Sequence, residues 1–226
     1  MKKILGVVLA VLALSIFTAC GSSKAMEQKA TSAENNTQTT KVAVPATNGK
    51  KILVAYYSRT GDNYAVGNIT KGNTHIVADM IAQMLGADEF EIKTVKDYPA
   101  DYRECTVVAK QELETNARPE LSGKVANMKD YDVVFVGYPI WWTELPMPVY
   151  TFLESYDFNG KTIVPFCTSA GNVLTGKEDG ITKHAKGAKL LQGLGIEGKR
   201  AQQDPDSVRP QVKEWLTKLG FVKSGV

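Results

Sequence analysis

Apolar positions in this chain fall into three regimes: an unbroken run at residues 4–14, no periodicity across 21–49, and a regular alternation from Lys51 onward. In that last part, Ile52 to Tyr57 reads as a buried strand. Thr74 to Leu85 places Val77, Met80, Ile81 and Met84 on one face at helical spacing. Glu89 to Lys93 alternates polar and apolar, the pattern of a strand nearer a sheet edge. Tyr102 to Asn116 is a second helix, stopped before Arg118-Pro119. Val133 to Tyr138 is apolar throughout, as a central parallel strand buried on both faces must be. A helix follows from about Pro146 to Tyr156, with proline tolerated in its first turn. Thr162 to Cys167 is the fourth strand, although Pro165 argues against a central position for it. A helix within 178–192, a fifth strand near Lys199 to Gln202 and a last helix from Ser207 to Leu219 complete the pattern.

Repeated strand–helix alternation gives an α/β domain, a doubly wound parallel sheet of five strands with helices on both faces. The order 2-1-3-4-5 suits this length. Many unrelated functions use that fold, so function has to be read from the loops.

The first fifty residues do not belong to the domain. Lys2-Lys3, the apolar run and the small residues around Cys20 form a secretory signal, with about eleven apolar residues too few to span a bilayer. The segment resembles a bacterial lipoprotein signal, in which the cysteine, here Cys20, becomes the lipidated first residue of an envelope protein anchored to the membrane. Residues 21–49, rich in Ala, Thr, Ser, Asn, Gln and Lys, cannot bury enough surface to order themselves. They read as a tether with a reach of roughly 30 Å, leaving 50–226 as the folded domain.

A net charge of +3 and a pI near 8.6 are mild, and the basic residues are scattered, so no nucleic-acid partner is expected. Cys105 and Cys167 lie far apart and outside any C-x-x-C arrangement, which favours two buried free thiols. His75 and His184, the only histidines, belong to no ligand cluster, so neither a histidine metal site nor a Ser-His-Asp triad is expected.

Three loops at the carboxyl ends of the strands carry the chemistry, because ligands of open parallel sheets bind at that edge. After the first strand comes Ser58-Arg59-Thr60-Gly61-Asp62, then an excursion over 62–73 before Asn73-Thr74 opens the helix. A phosphate cradle at a helix N-terminus and a capped glycine-rich turn both fit these residues. After the third strand comes Pro139-Ile140-Trp141-Trp142. Two indoles in an irregular, proline-bounded segment point to one Trp in the core and one lining a pocket for a flat ligand, with Trp215 of the last helix in the core. After the fourth strand, Thr168-Ser169-Ala170-Gly171-Asn172 is small and polar, fit either for close approach of a ligand or for an ordinary turn.

Other motifs fail on context. Gly193-Leu194-Gly195-Ile196-Glu197-Gly198 matches the dinucleotide fingerprint but reads as following a helix and preceding a strand, the reverse of what the mechanism needs. Gly160-Lys161-Thr162 lacks the leading glycine of a P-loop. The third strand ends in Gly-Tyr-Pro without the phosphoacceptor Asp of a receiver domain. Asp179-Gly180-Ile181-Thr182 matches only part of a covalent flavinylation signal.

Taken together, the loops resemble those of the flavodoxin family over about residues 50–220. The resemblance rests on Lys51–Gly61, Gly72–Thr74, Ala117-Arg118-Pro119, Gly137–Trp142 and Phe166–Gly171. It implies FMN as cofactor. Ser58, Arg59, Thr60, Asn73 and Thr74 would hold the phosphate. Pro139, Ile140, Trp141 and Trp142 would flank one face of the isoalloxazine, and Thr168, Ser169, Ala170, Gly171 and Asn172 would bond its pyrimidine edge. Two departures stand out: the 62–73 excursion interrupts the short phosphate loop, and residues 168–176 lack the aromatic with which many carrier flavodoxins cover the second flavin face. That face is expected to be open to a substrate, a partner or another subunit. The implied activity is an oxidoreductase that passes electrons from a nicotinamide or other donor to a quinone or small electrophile, with no protein acid or base required. The alternatives are an electron carrier between proteins and a flavin-free envelope module. Carriers are usually strongly acidic, and this chain is mildly basic.

Overall fold

The computed structural model describes residues 49–171 and 178–223. The signal, Cys20, the tether up to residue 48 and Asn172 lie outside the described residues. Strand β1 (Ile52–Tyr56) is fully buried; a short hairpin of β2 (Gly61–Asn63) and β3 (Gly67–Ile69) follows, then α1 (Asn73–Leu85) and β4 (Asp88–Glu91). Next come α2 (Tyr102–Glu114), β5 (Val133–Pro139), α3 (Met147–Glu154), β6 (Thr162–Ser169) and α4 (Glu178–His184). The chain closes with β7 (Lys189–Leu190), β8 (Leu194–Glu197), α5 (Gly198–Gln203) and α6 (Pro205–Lys218).

The main sheet runs β4-β1-β5-β6, with β7 and β8 both on the far side of β6, and every pairing in it is parallel. Counting β7 and β8 as one interrupted strand, this is the expected 2-1-3-4-5 order. Alternate residues feed two cores. Ile52, Val54, Phe135, Val164 and Phe166 pack under α1 and α6, while Leu53, Val134, Val136 and Ile163 pack under α3 and α4. Cys105 and Cys167 are buried and unbridged, as expected. Among the described residues no helix is long and apolar enough to cross a membrane.

Pro165 sits inside a central strand, and the interruption of the fifth strand explains how. The carbonyls of Lys161 and Ile163 accept from Lys189 and Leu191, so odd-numbered residues of β6 turn their polar groups toward the fifth-strand side. Strand β7 pairs with Thr162 and Ile163, and β8 resumes only at Phe166. The missing N–H of Pro165 therefore falls in the gap, where no ladder bond is lost.

The fifth strand itself requires a correction. Lys199 to Gln202, expected as a strand, lies in helix α5, and the strand is Leu194–Glu197. The helix expected in 178–192 ends at His184, which frees the apolar Leu194-Gly195-Ile196 to pair with β6. The glycine-rich run 193–198 is therefore a strand passing into a helix rather than a helix stop. Even so, two of its glycines lie before or inside the strand instead of forming the turn a pyrophosphate needs.

Gly137 holds β5 and β6 in register. A Cβ there would lie 2.1 Å from Cζ of Phe166, its cross-strand partner and a fully buried ring. Gly137→Val should overpack this site at about 2–3 kcal/mol, which in a domain of this size is a Tm loss of roughly 5–10 °C. Thermal unfolding of the variant checks it; an unchanged Tm would mean Phe166 can leave its site without cost.

Candidate functional site

Strands β1, β5, β6 and β8 all end at one edge, and a cleft of about 500 Å³ opens there. That volume is in the range of small-molecule and cofactor sites. Two contacts of small residues set the N-terminus of α1 against the first loop. Gly72 precedes α1 and lies so close to the first loop that a Cβ would fall 2.1 Å from Ser58 Oγ. Ser58 Oγ in turn accepts from the backbone N–H of His75, capping the third residue of a helix that has no side-chain cap of its own. The N–H groups of Asn73 and Thr74, the first two of α1, receive no such cap. They stand at the positive end of a thirteen-residue helix, where an anion is stabilised.

The predicted phosphate residues separate into distinct roles. Asn73 lines the cleft, and its Oδ1 is buried without a partner. Thr74 is buried, and its hydroxyl is paired with that of Thr168 at 2.8 Å, tying the start of α1 to the end of β6. Ser58 is the helix cap, and Thr60 is exposed. Arg59 borders the cleft, but its guanidinium donates to the carbonyls of Asp62, Pro99 (2.6 Å), Ala100 (2.6 Å) and Asp101 (3.2 Å). It braces the hairpin base against the segment that enters α2. Gly61, at φ +82°, makes this approach possible, because a Cβ there would press on the Ala100 carbonyl at 2.9 Å.

The 62–73 excursion is the β2–β3 hairpin, and its tip, Asn63 to Ala65, forms one wall of the cleft. Helix α2 forms another, through Tyr102, Cys105, Thr106 and Ala109. The Cys105 thiol is pushed up by burial, so it lines the site as an inert apolar group. Pro139 and Ile140 continue the wall, and Thr168, Ser169 and Ala170 close the opposite side. Gly171 is exposed at the end of that segment.

Both indoles border the cleft, and their environments differ. Trp141 is partly buried, edge-on to Tyr57 (5.4 Å between centroids) and to Tyr98 (5.1 Å). Trp142 is 49% exposed at the rim, donates Nε1–H to the Thr106 carbonyl at 2.9 Å and has the Lys110 ammonium over its ring. The expected division into an inner and a lining Trp thus becomes an inner wall and a rim. The turn that produces it is strained: Trp141 and Glu144 exchange both backbone hydrogen bonds, leaving Trp142 at φ +49° and Thr143 at φ +61°. That is the geometry of a type I′ turn, which prefers Asn-Gly and disfavours a β-branched residue.

Support for the strained turn comes from behind. Tyr150 donates to Glu144 Oε1 at 2.8 Å, and burial followed by that carboxylate raises its phenol well above the ordinary value. Next to Tyr150, Arg118 grips Glu154 through Nε (2.7 Å) and Nη2 (2.8 Å), and His184 Nδ1 meets the same carboxylate at 2.6 Å. Arg118, first, and His184 hold Glu154 below its ordinary value. This ties the loop after α2, helix α3 and helix α4 to the base of the Trp turn.

Sequence reasoning missed three parts of the site. The hairpin wall was visible only as an interruption of the first loop. The α2 wall carried a faint signal, Cys105 and Ala109 as small residues one turn apart. Glu197, Gly198 and Lys199 also border the cleft, and they were hidden by the misplacement of the fifth strand.

Residues 51–219 match the model of a protein family described as Flavodoxin. Among solved structures, a protein from Bacteroides uniformis provisionally designated a flavoprotein is 30% identical. The match spans 75% of this chain and 99% of that one, with a TM-score of 0.60. A second such protein, from Bacteroides eggerthii, is also 30% identical over 70% of this chain and 98% of that one, with a TM-score of 0.55. A flavoprotein from Lactobacillus acidophilus in complex with FMN shares the fold at 23% identity and a TM-score of 0.51, over 64% of this chain and 91% of that one. No curated protein matches the chain.

The strained turn yields a direct prediction. Thr143→Gly removes the cost of a β-branched residue at φ +61° and should stabilise the protein by about 1 kcal/mol. Chemical denaturation reads this as a higher midpoint at unchanged slope. A lower midpoint would show that Thr143 makes a contact worth more than the strain.

Proposed function

The chain belongs to the flavodoxin family, and we propose that it is an FMN-binding oxidoreductase of the cell envelope. In this reading it passes electrons from a nicotinamide or other donor to a quinone or small electrophile. The observation that carries the reading is the cleft itself. The N–H groups of Asn73 and Thr74, uncapped among the described residues, mark one end, the two indoles line another wall, and small polar residues complete the lining. Those features fit the parts of FMN: a phosphate at the helix N-terminus, a flat ring against aromatics, and a polar ring edge beside Thr168 to Ala170. Bound there, FMN supplies the redox chemistry, and the protein supplies position, polarity and access.

Trp141 and Trp142 would flank the ring, and the Thr74–Thr168 hydrogen bond would hold the phosphate and ring-edge loops at a constant spacing. Access favours a small apolar acceptor. Among the described residues the large exposed apolar side chains are Tyr64 (61%), Val95, Val107 (67%) and Trp142, and two of these four, Tyr64 and Trp142, border the cleft. An exposed apolar collar suits a planar organic molecule, and nothing in a net charge of +3 provides the acidic surface by which carriers dock basic partners.

For location we rely on the N-terminal pattern: a charged start, an apolar run and Cys20, followed by a polar segment long enough to hold the domain away from a membrane surface.

Two measurements test the proposal. The purified chain should bind FMN and display a flavin spectrum, and anaerobic NADH or NADPH should bleach it within seconds, with a quinone restoring the colour. A colourless protein that ignores added FMN would sink the reading, and a loaded protein that nicotinamides leave unbleached would make it a carrier. Separately, Cys20→Ser should move the protein from the membrane fraction to the soluble fraction of the expressing cells, and retention on the membrane would refute the lipid anchor.

A further inference from the structure

The cofactor reading occupies the start of α1, the two indoles and residues 168–170, and it leaves the tip of the β2–β3 hairpin without a role. That tip presents Tyr64, which borders the cleft and is nevertheless exposed. An aromatic ring held in water at the mouth of a cleft has apolar surface to bury against a ligand.

The ring is held in place. It meets the ring of Tyr102, the first residue of α2, at 6.0 Å between centroids and a tilt of 40°. One turn further along α2, the Thr106 carbonyl accepts the Nε1–H of Trp142 at 2.9 Å. Tyr64, Tyr102 and Trp142 all border the cleft, so three aromatic side chains from three segments stand along a single turn of one helix. Arg59 fixes this grouping from the base of the hairpin. Its guanidinium donates to the carbonyl of Asp62 in β2 and to those of Pro99, Ala100 and Asp101, which lead into α2. Asp101 in turn caps that helix, accepting the Glu104 N–H at 2.9 Å.

The polar atoms of this patch are mostly uncommitted. Among the described residues the hydroxyls of Tyr64 and Tyr102 have no hydrogen-bond partner, whereas Trp142 has given its one donor to Thr106. Flat apolar faces edged by free O–H donors complement a planar ring whose polar atoms are carbonyl acceptors.

We propose that Tyr64, backed by Tyr102, is the platform on which the ring of the electron acceptor lies, and that this acceptor is a quinone. The assignment rests on the FMN reading above. It gives the hairpin, which interrupts the short phosphate loop, the task of selecting the acceptor, and it makes Tyr64 dispensable for the cofactor.

Duroquinone is a suitable probe, because methyl groups block its ring carbons against addition of thiols. Its affinity for the full-length, FMN-loaded protein is to be measured by equilibrium dialysis with the flavin oxidised, so that no electrons pass and binding is read without turnover. Tyr64→Ala should weaken duroquinone about five- to tenfold and leave FMN affinity within about twofold, which also shows that the variant is folded. Tyr64→Phe keeps the ring and loses one hydroxyl, so it should cost only about two- to threefold. The assignment fails if Tyr64→Ala leaves duroquinone binding unchanged, if it weakens FMN by the same factor, or if Tyr64→Phe costs as much as Tyr64→Ala. A wild type that takes up FMN but not duroquinone overturns the assignment alone. A wild type that takes up no FMN overturns the cofactor reading, and this assignment with it.

Discussion

Everything in this molecule depends on the parallel pairing of β1, β5 and β6, a block of strands buried on both faces. Because all three run the same way, their carboxyl ends meet at one edge, and each connecting loop is delivered to its neighbours there. The register is set by packing. Gly137 leaves room for the Phe166 ring across the strand boundary, and a one-residue slip would place every alternating side chain in the wrong core. Burying side chains of this size contributes roughly 1.5–3 kcal/mol each, so the register carries much of the stability of the domain as well as the geometry of the cleft.

Upon that edge the loops are drawn together by missing side chains. Gly72 admits Ser58 against the first turn of α1, and Gly198 admits the end of the last strand against Asn73. Both contacts place backbone or small polar groups where a phosphate would stand. At the other end of the cleft the chain adopts the opposite strategy. Two non-glycine residues, Trp142 and Thr143, are held at positive φ, and the Glu144–Tyr150 contact with the adjoining Arg118–Glu154–His184 cluster braces their turn from behind. The strain puts an indole on the rim, where a helix carbonyl and an ammonium steady it.

The hairpin changes what kind of site this is. A short phosphate loop would leave the mouth bounded by strand-end loops alone. The β2–β3 excursion instead adds a wall carrying Tyr64, and the cost of holding it in place falls on Arg59. An arginine used as a brace cannot also serve as a phosphate fork, which leaves the uncapped first turn of α1 as the place for an anion. Tyr64 and Trp142 border the opening with apolar surface.

Much of this was legible in the residues alone, since it depends on local pattern. Periodicity placed β1, β5 and β6 and the helices between them. The strand-end sequences picked out Asn73, Pro139 to Trp142 and Thr168 to Ala170, all of which border the cleft. Glycine-rich and proline-containing stretches were read less well. Leu194 to Glu197 has too few branched residues to announce a strand, and Pro165 seemed to forbid a central position that a gap in the neighbouring strand allows. What the amino-acid order determined by itself was the fold and the edge where a ligand would lie, because buried runs and turn residues act within a few positions. Only the tertiary structure decided that Arg59 faces carbonyls, that Ser58 caps a helix across a loop, and that Gly198 stands against Asn73. Those are contacts between segments far apart in sequence, and no local pattern encodes which of several polar partners a side chain meets when the chain closes.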